Sequence, residues 1–132
     1  MVIHREETLL IVEYDQRFAD TLALEFQDRG YRVECLDGLE AVEQKSHLSY
    51  RYAVIDLWLH PESGLDVISI FKDRSPSTVI AALDGYHSGE TAQRAIELGA
   101  TACLTKPVDI DRLESALRSG DSRAILPQHR NG

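Results

Sequence analysis

Five short apolar runs, each followed by a stretch with helical spacing, divide this chain into an unbroken strand and helix alternation, and few architectures accommodate that order. The runs are TLLIV (8–12), YRVEC (31–35), YAVID (52–56), TVIAAL (78–83) and TACLT (101–105). Four of them are apolar nearly throughout, as strands buried on both faces require. The run 31–35 alternates Tyr31, Val33 and Cys35 with Arg32 and Glu34, the pattern of a strand with one wetter face near a sheet edge. Between the runs, Asp15 can cap a helix carrying Phe18, Leu22 and Phe26 that closes at Gly30. The spacing predicts further helices over 39–47, from Gly64 to before Pro76 with Leu65, Ile68 and Phe71 inward, over 88–98, and over 109–120.

Strand and crossover helix in strict succession imply a mostly parallel sheet covered on both faces, with right-handed connections. The fold class expected is therefore α/β, a doubly wound (βα)5 unit with a five-stranded sheet in the order 2-1-3-4-5, whose crevice lies at the carboxyl ends of strands one and three. At 132 residues the chain fits one domain. It is expected over 1–119, with 120–132 a flexible tail or the start of a linker. In that strand order Cys35 and Cys103 fall on opposite edges, beyond disulfide reach. The formal charge of −8 argues against a nucleic-acid surface on this domain. The run after MVIHREE is too short for a signal peptide, and no stretch reaches membrane-spanning length, so a cytoplasmic location with no membrane partner is the expectation.

The residues at the carboxyl ends of the strands carry the chemistry. Glu13, Tyr14 and Asp15 come after the first, Asp56 ends the third, Asp84 comes after the fourth, and Lys106 with Pro107 after the fifth. The topology brings all of them to one rim. Several carboxylates facing one lysine repel one another, and such a crevice suits a divalent cation or a phosphoryl group on a carboxylate held by metal and ammonium. Asp56, ending the most apolar strand and opening a long loop, is the candidate nucleophile. Each residue also has a plainer reading: Asp56 and Asp84 as turn caps, Glu13 in a static ion pair with Lys106, Asp15 as a helix N-cap, Cys103 as a small core residue. His60 and His87 lie at the same rim without metal-ligand spacing.

These residues resemble the receiver domains of bacterial two-component response regulators, over about 8–119. The segments DLWLHPESGLDVI, ALDGY and AIELGATACLTKPVD look closest to redox- and acid-responsive global regulators that pair a receiver with a Fis-type helix-turn-helix. The resemblance implies a signalling module rather than an enzyme, with Asp56 as phosphoacceptor and Lys106 as the phosphoryl and switch contact. It also implies a cis peptide before Pro107 and a magnesium ion held by Glu13, Asp56 and the backbone carbonyl of Trp58, with Asp15 a further candidate. A cognate histidine kinase or another signalling protein is the implied partner. A homodimer through the fourth helix, fifth strand and fifth helix is a further one.

Three positions depart from that pattern. Tyr14 stands where a carboxylate normally ligates magnesium, Asp84 where a Thr or Ser hydroxyl is usual, and Cys103 where an aromatic switch residue is usual. A neutral phenol is a poor magnesium ligand. A carboxylate about 5 Å from one phosphoryl charge costs roughly 3 kcal/mol at an effective dielectric of about 20, about a hundredfold in phosphoryl stability. The departures point to an atypical receiver, phosphorylated weakly or not at all, in which Asp84 is expected to pair with Lys106 and Tyr86 is a candidate for the missing aromatic. The competing reading is a conventional magnesium-dependent receiver, the N-terminal part of a DNA-binding regulator. Other classes fail on residues: Trp58 replaces the second acid of a dehalogenase-type phosphatase, EYDQR is no flavin phosphate loop, and the glycine patterns of nucleotide binders are absent.

Overall fold

A computed structural model describes residues 7–124. Five parallel strands, β1 (Thr8–Val12), β2 (Arg32–Leu36), β3 (Tyr52–Asp56), β4 (Val79–Asp84) and β5 (Ala102–Thr105), form one sheet in the order β2-β1-β3-β4-β5. They alternate with α1 (Gln16–Asp28), α2 (Leu39–Glu43), α3 (Gly64–Arg74), α4 (Gly89–Leu98) and α5 (Ile110–Ser119). This is the doubly wound order expected from the alternation.

Because side chains alternate along a strand, each central strand feeds two cores. Leu10, Val12, Ala53, Ile55, Ile80 and Ala82 pack with Val42 of α2, Val67, Ile68 and Phe71 of α3 and Ala95 of α4. On the other face Leu9, Ile11, Tyr52, Val54, Ala81 and Leu83 pack with Ala19, Leu22 and Phe26 of α1 and Leu113 and Leu117 of α5. Every residue of β3 and β4 is buried, which is why their sequences read as continuous apolar runs.

Two local expectations need correction. The helix expected over 39–47 ends at Glu43 with Gln44 as its cap. There the Lys45 amide bonds back three residues to the Val42 carbonyl (3.1 Å), and Arg74 takes the Lys45 carbonyl (2.6 Å). The chain then leaves the helical path and buries Leu48 in the core. β2 lacks a clean wet face, since Glu34 is half-buried by bonds from Lys45 (2.9 Å) and the hydroxyl of Tyr50.

The segment expected to be loose begins inside the body of the domain. Asp121 is buried, accepting from Arg51 Nε (2.7 Å), the Tyr52 hydroxyl (2.9 Å) and Arg123 Nε (2.9 Å). Residues 125–132 of the expected tail lie outside the described residues. Cys35 and Cys103 are free thiols on the two edge strands, each half-buried. Burial pushes Cys103 up to about 11, so its thiol stays protonated and unreactive. Among the described residues no helix is long and apolar enough to cross a membrane.

Candidate functional site

The carboxyl ends of β1, β3, β4 and β5 deliver Glu13, Asp56, Asp84 and Lys106 to one rim, as their places after apolar runs implied. Asp56 is 5% exposed and Glu13 4% exposed. Lys106 Nζ sits between them, 3.1 Å from Asp56 Oδ2 and 3.0 Å from Glu13 Oε1, and lies 4.3 Å from the centre of the Phe18 ring. The ammonium is thus held by two carboxylates and one aromatic face.

The remaining carboxylate oxygens are also engaged. Asp56 Oδ1 accepts from the Trp58 amide (3.0 Å), and Glu13 Oε2 accepts from the Asp15 amide (3.1 Å). Burial, followed by the hydrogen-bonded contact with Asp56, pushes the Glu13 carboxyl up to about 7. Lys106 loses solvation by burial, yet the charge of Asp56 and the bond to Glu13 leave it above the usual lysine range.

The Lys106–Pro107 peptide is cis, as the resemblance implied. Gly64, opening α3, packs so tightly under the strand end that a Cβ there would stand 2.1 Å from the Asp56 carbonyl oxygen. Only glycine allows that approach.

Asp84 behaves differently from the expected partner of Lys106. Its side chain is not bonded to the ammonium; only its backbone carbonyl meets Lys106, accepting from the Lys106 amide (3.2 Å). The carboxylate is instead consumed by three donors: Trp58 Nε1 (2.8 Å) and the Tyr86 amide (2.9 Å) on Oδ1, and the Ser88 amide (2.8 Å) on Oδ2. Burial opposes its charge, but the indole and the two amides outweigh that and hold the carboxyl below its ordinary range. The turn-cap reading of Asp84 therefore holds, extended by a bond from another loop.

Asp15 is the N-cap of α1, accepting from the amides of Arg17 (3.0 Å) and Phe18 (3.2 Å). Tyr14 is 58% exposed, its ring 5.4 Å from that of His60. Trp58 packs edge to face on Tyr86 at 4.8 Å. Tyr86 is 73% exposed, so its ring lies on the surface rather than inside the sheet where a buried switch aromatic would sit. Among the described residues no three His, Cys, Asp or Glu side chains are grouped to hold a metal ion.

Two site residues were not foreseen from the sequence: Phe18 as a wall of the lysine site and the indole of Trp58 as the donor to Asp84. Phe18 carried a signal, standing three residues after the N-cap and so facing the strand ends. The indole bond carried none, since it joins two loops 26 residues apart.

The chain matches the family model of the response regulator receiver domain over residues 9–118. It is 36% identical over 132 residues to the photosynthetic apparatus regulatory protein RegA of Rhodovulum sulfidophilum, covering 98% of this chain and 70% of that protein. To the acid tolerance regulatory protein ActR of Rhizobium meliloti it is 38% identical over 127 residues, covering 96% of this chain and 66% of that protein. Among solved structures, a Burkholderia pseudomallei response regulator with a phosphorylated aspartic acid and a calcium ion shares 31% identity at a TM-score of 0.80, covering 86% of this chain and 67% of that one. The FixJ-N crystal structure, at 19% identity and a TM-score of 0.79 over 92% of this chain and 98% of that one, shares the fold.

Proposed function

This chain belongs to the response regulator receiver family, non-catalytic modules of two-component signalling, and we propose that it is an atypical member that signals through protein contacts with Asp56 phosphorylated weakly or not at all. The observation that carries this reading is the Asp84 carboxylate, buried and filled by three donors where the family's hydroxyl stands. A phosphoryl group on Asp56 would add negative charge to a rim that already holds three carboxylates against one ammonium.

Receiver domains typically bind magnesium, and the donors here do not suit that ion. Magnesium demands near-octahedral oxygen ligands. Both oxygens of Glu13 and of Asp56 already have partners, Lys106 lies between the two groups, Asp15 caps α1, and the Tyr14 ring is turned toward His60. Glu13, Asp56 and the Trp58 carbonyl are two carboxylates and one dipole, short of the acidic pair plus nucleophile that the family uses.

Receiver domains interact with cognate histidine kinases. For this chain the partner surface is the face made by α4, β5 and α5, open to a second copy or another signalling protein. Because 66–70% of RegA and ActR is covered, a DNA-binding output segment in the whole protein is part of the competing, conventional reading.

The test is a titration with magnesium plus beryllofluoride, followed by fluorescence of Trp58, the single tryptophan. No saturable change is expected from the wild-type chain. The double variant Tyr14→Asp, Asp84→Thr, which restores the family's residues at both positions, should gain one. A saturable, Asp56-dependent response in the wild type would refute the proposal.

A further inference from the structure

We propose that Trp58 and Asp84 form a latch that ties the loop after β3 to the loop before α4 and fixes the start of α4 with no group added to Asp56. As a regulatory device it rests on the reading above, that the α4 face is where partners dock.

The latch has its fixed point in Asp84, at the end of β4 and 1% exposed. One carboxylate oxygen holds the indole of Trp58 and the amide of Tyr86, and the other holds the amide of Ser88. Ser88 is the N-cap of α4, its hydroxyl accepting from the Thr91 amide (3.4 Å). A threonine or serine at this position would have a single oxygen with two lone pairs and could not accept from all three donors. The carboxylate is therefore suited to joining two loops rather than to sensing a third group.

The segment it spans is strained. His87, between the Tyr86 and Ser88 amides, has φ 55°, the left-handed region that a residue with a Cβ adopts only at a cost. Bonds on either side of His87 to one buried carboxylate keep the loop in that conformation. The Tyr86 ring against Trp58 adds a second contact between the same two loops.

A continuous route also runs from the nucleophile. Asp56 Oδ1 accepts from the Trp58 backbone amide, the Trp58 indole donates to Asp84, and Asp84 accepts from the cap of α4. Trp58 is thus a positioning residue whose two N–H groups serve the two carboxylates. With both bonds made, α4 is held in one state.

The test uses amide and indole hydrogen exchange by NMR, with neither magnesium nor phosphodonor present. The wild-type indole proton should exchange at least about tenfold more slowly than that of an exposed tryptophan, as one retained hydrogen bond requires. Trp58→Phe keeps the ring against Tyr86 and removes the N–H. It should speed exchange of the Tyr86 and Ser88 amides about tenfold while Ile55 and Ala82 in the strands are unchanged. Asp84→Asn, which keeps one acceptor and turns an NH2 toward Ser88, should speed Ser88 alone. An indole proton exchanging as freely as in an exposed tryptophan, or loop amides unmoved by Trp58→Phe, would overturn the latch. If Trp58→Phe does not fold, the wild-type indole decides. Phosphorylation of Asp56 would sink the functional reading and leave the latch standing, whereas a free indole would do the reverse.

Discussion

The two ends of the sheet both carry buried charge, and they treat it in opposite ways. At the amino ends of the strands, Glu7 meets Arg51 (3.5 Å) and Arg118 (2.8 Å), Asp121 meets Arg51 and Arg123, and Glu114 meets Arg29 (2.7 Å). The Tyr31 hydroxyl donates to Glu114 (2.6 Å) and that of Tyr52 to Asp121. Each of these acids faces a guanidinium, and Asp121 is held far below the ordinary carboxylate range. At the carboxyl ends Glu13 and Asp56 share one ammonium while buried Asp84 has only neutral donors, and the Glu13 carboxyl is pushed up to about 7. The first end stabilises the fold, binding the segment after α5 to β3. The second crowds carboxylates around a single lysine.

Removing a partner should therefore cost most at the amino end. Asp121→Ala takes the shorter contact from both Arg51 and the Tyr52 hydroxyl, leaving each with Glu7 at 3.5 Å, and a loss of about 3 kcal/mol is expected from urea unfolding. A loss under about 1 kcal/mol would show that this cluster is no more than surface decoration. Because the folded Asp121 carboxyl is depressed, its contribution is present above its unfolded pKa of 3.8 and fades as the pH falls below that value.

The carboxyl end should respond to pH in the opposite sense. Glu13 is raised from 4.5 to about 7 in the fold, so the folded chain binds the extra proton and loses stability as pH rises through that window. Glu13→Gln, which cannot ionise, should gain on the wild type by about 2 kcal/mol between pH 5 and pH 8. Parallel stability curves for the two proteins would contradict the comparison. The smallest effect is expected at Tyr14, whose ring is exposed: Tyr14→Phe should shift stability by less than about 0.5 kcal/mol. A larger loss would mean that the phenol hydroxyl belongs to the charged rim.

The contrast between the ends also marks what could be read from the residues. The rim was legible because a parallel sheet sends every residue that comes after an apolar run to the same edge, so Glu13, Asp56 and Lys106 meet as the sequence implied. The amino-end cluster was not, because its partners lie 70 and 111 residues apart, as in Arg51 with Asp121 and Arg118 with Glu7, and no local pattern joins them. The expected Asp84 to Lys106 pair failed for a similar reason. Sequence placed Asp84 at the rim, but not the indole and two amides that fill its oxygens. Helix α2 ends at Glu43, short of the expected 47, because the chain leaves the helical path to bury Leu48 in the core.

The most direct measurement of whether the carboxyl-end rim has given up phosphoryl chemistry is the intact mass of the protein after incubation with acetyl phosphate and magnesium, alongside a receiver that keeps its acidic pair and hydroxyl. No added phosphoryl group is expected on the wild-type chain under conditions that modify the control. Stoichiometric addition, abolished by Asp56→Asn, would contradict the atypical reading and restore the conventional receiver.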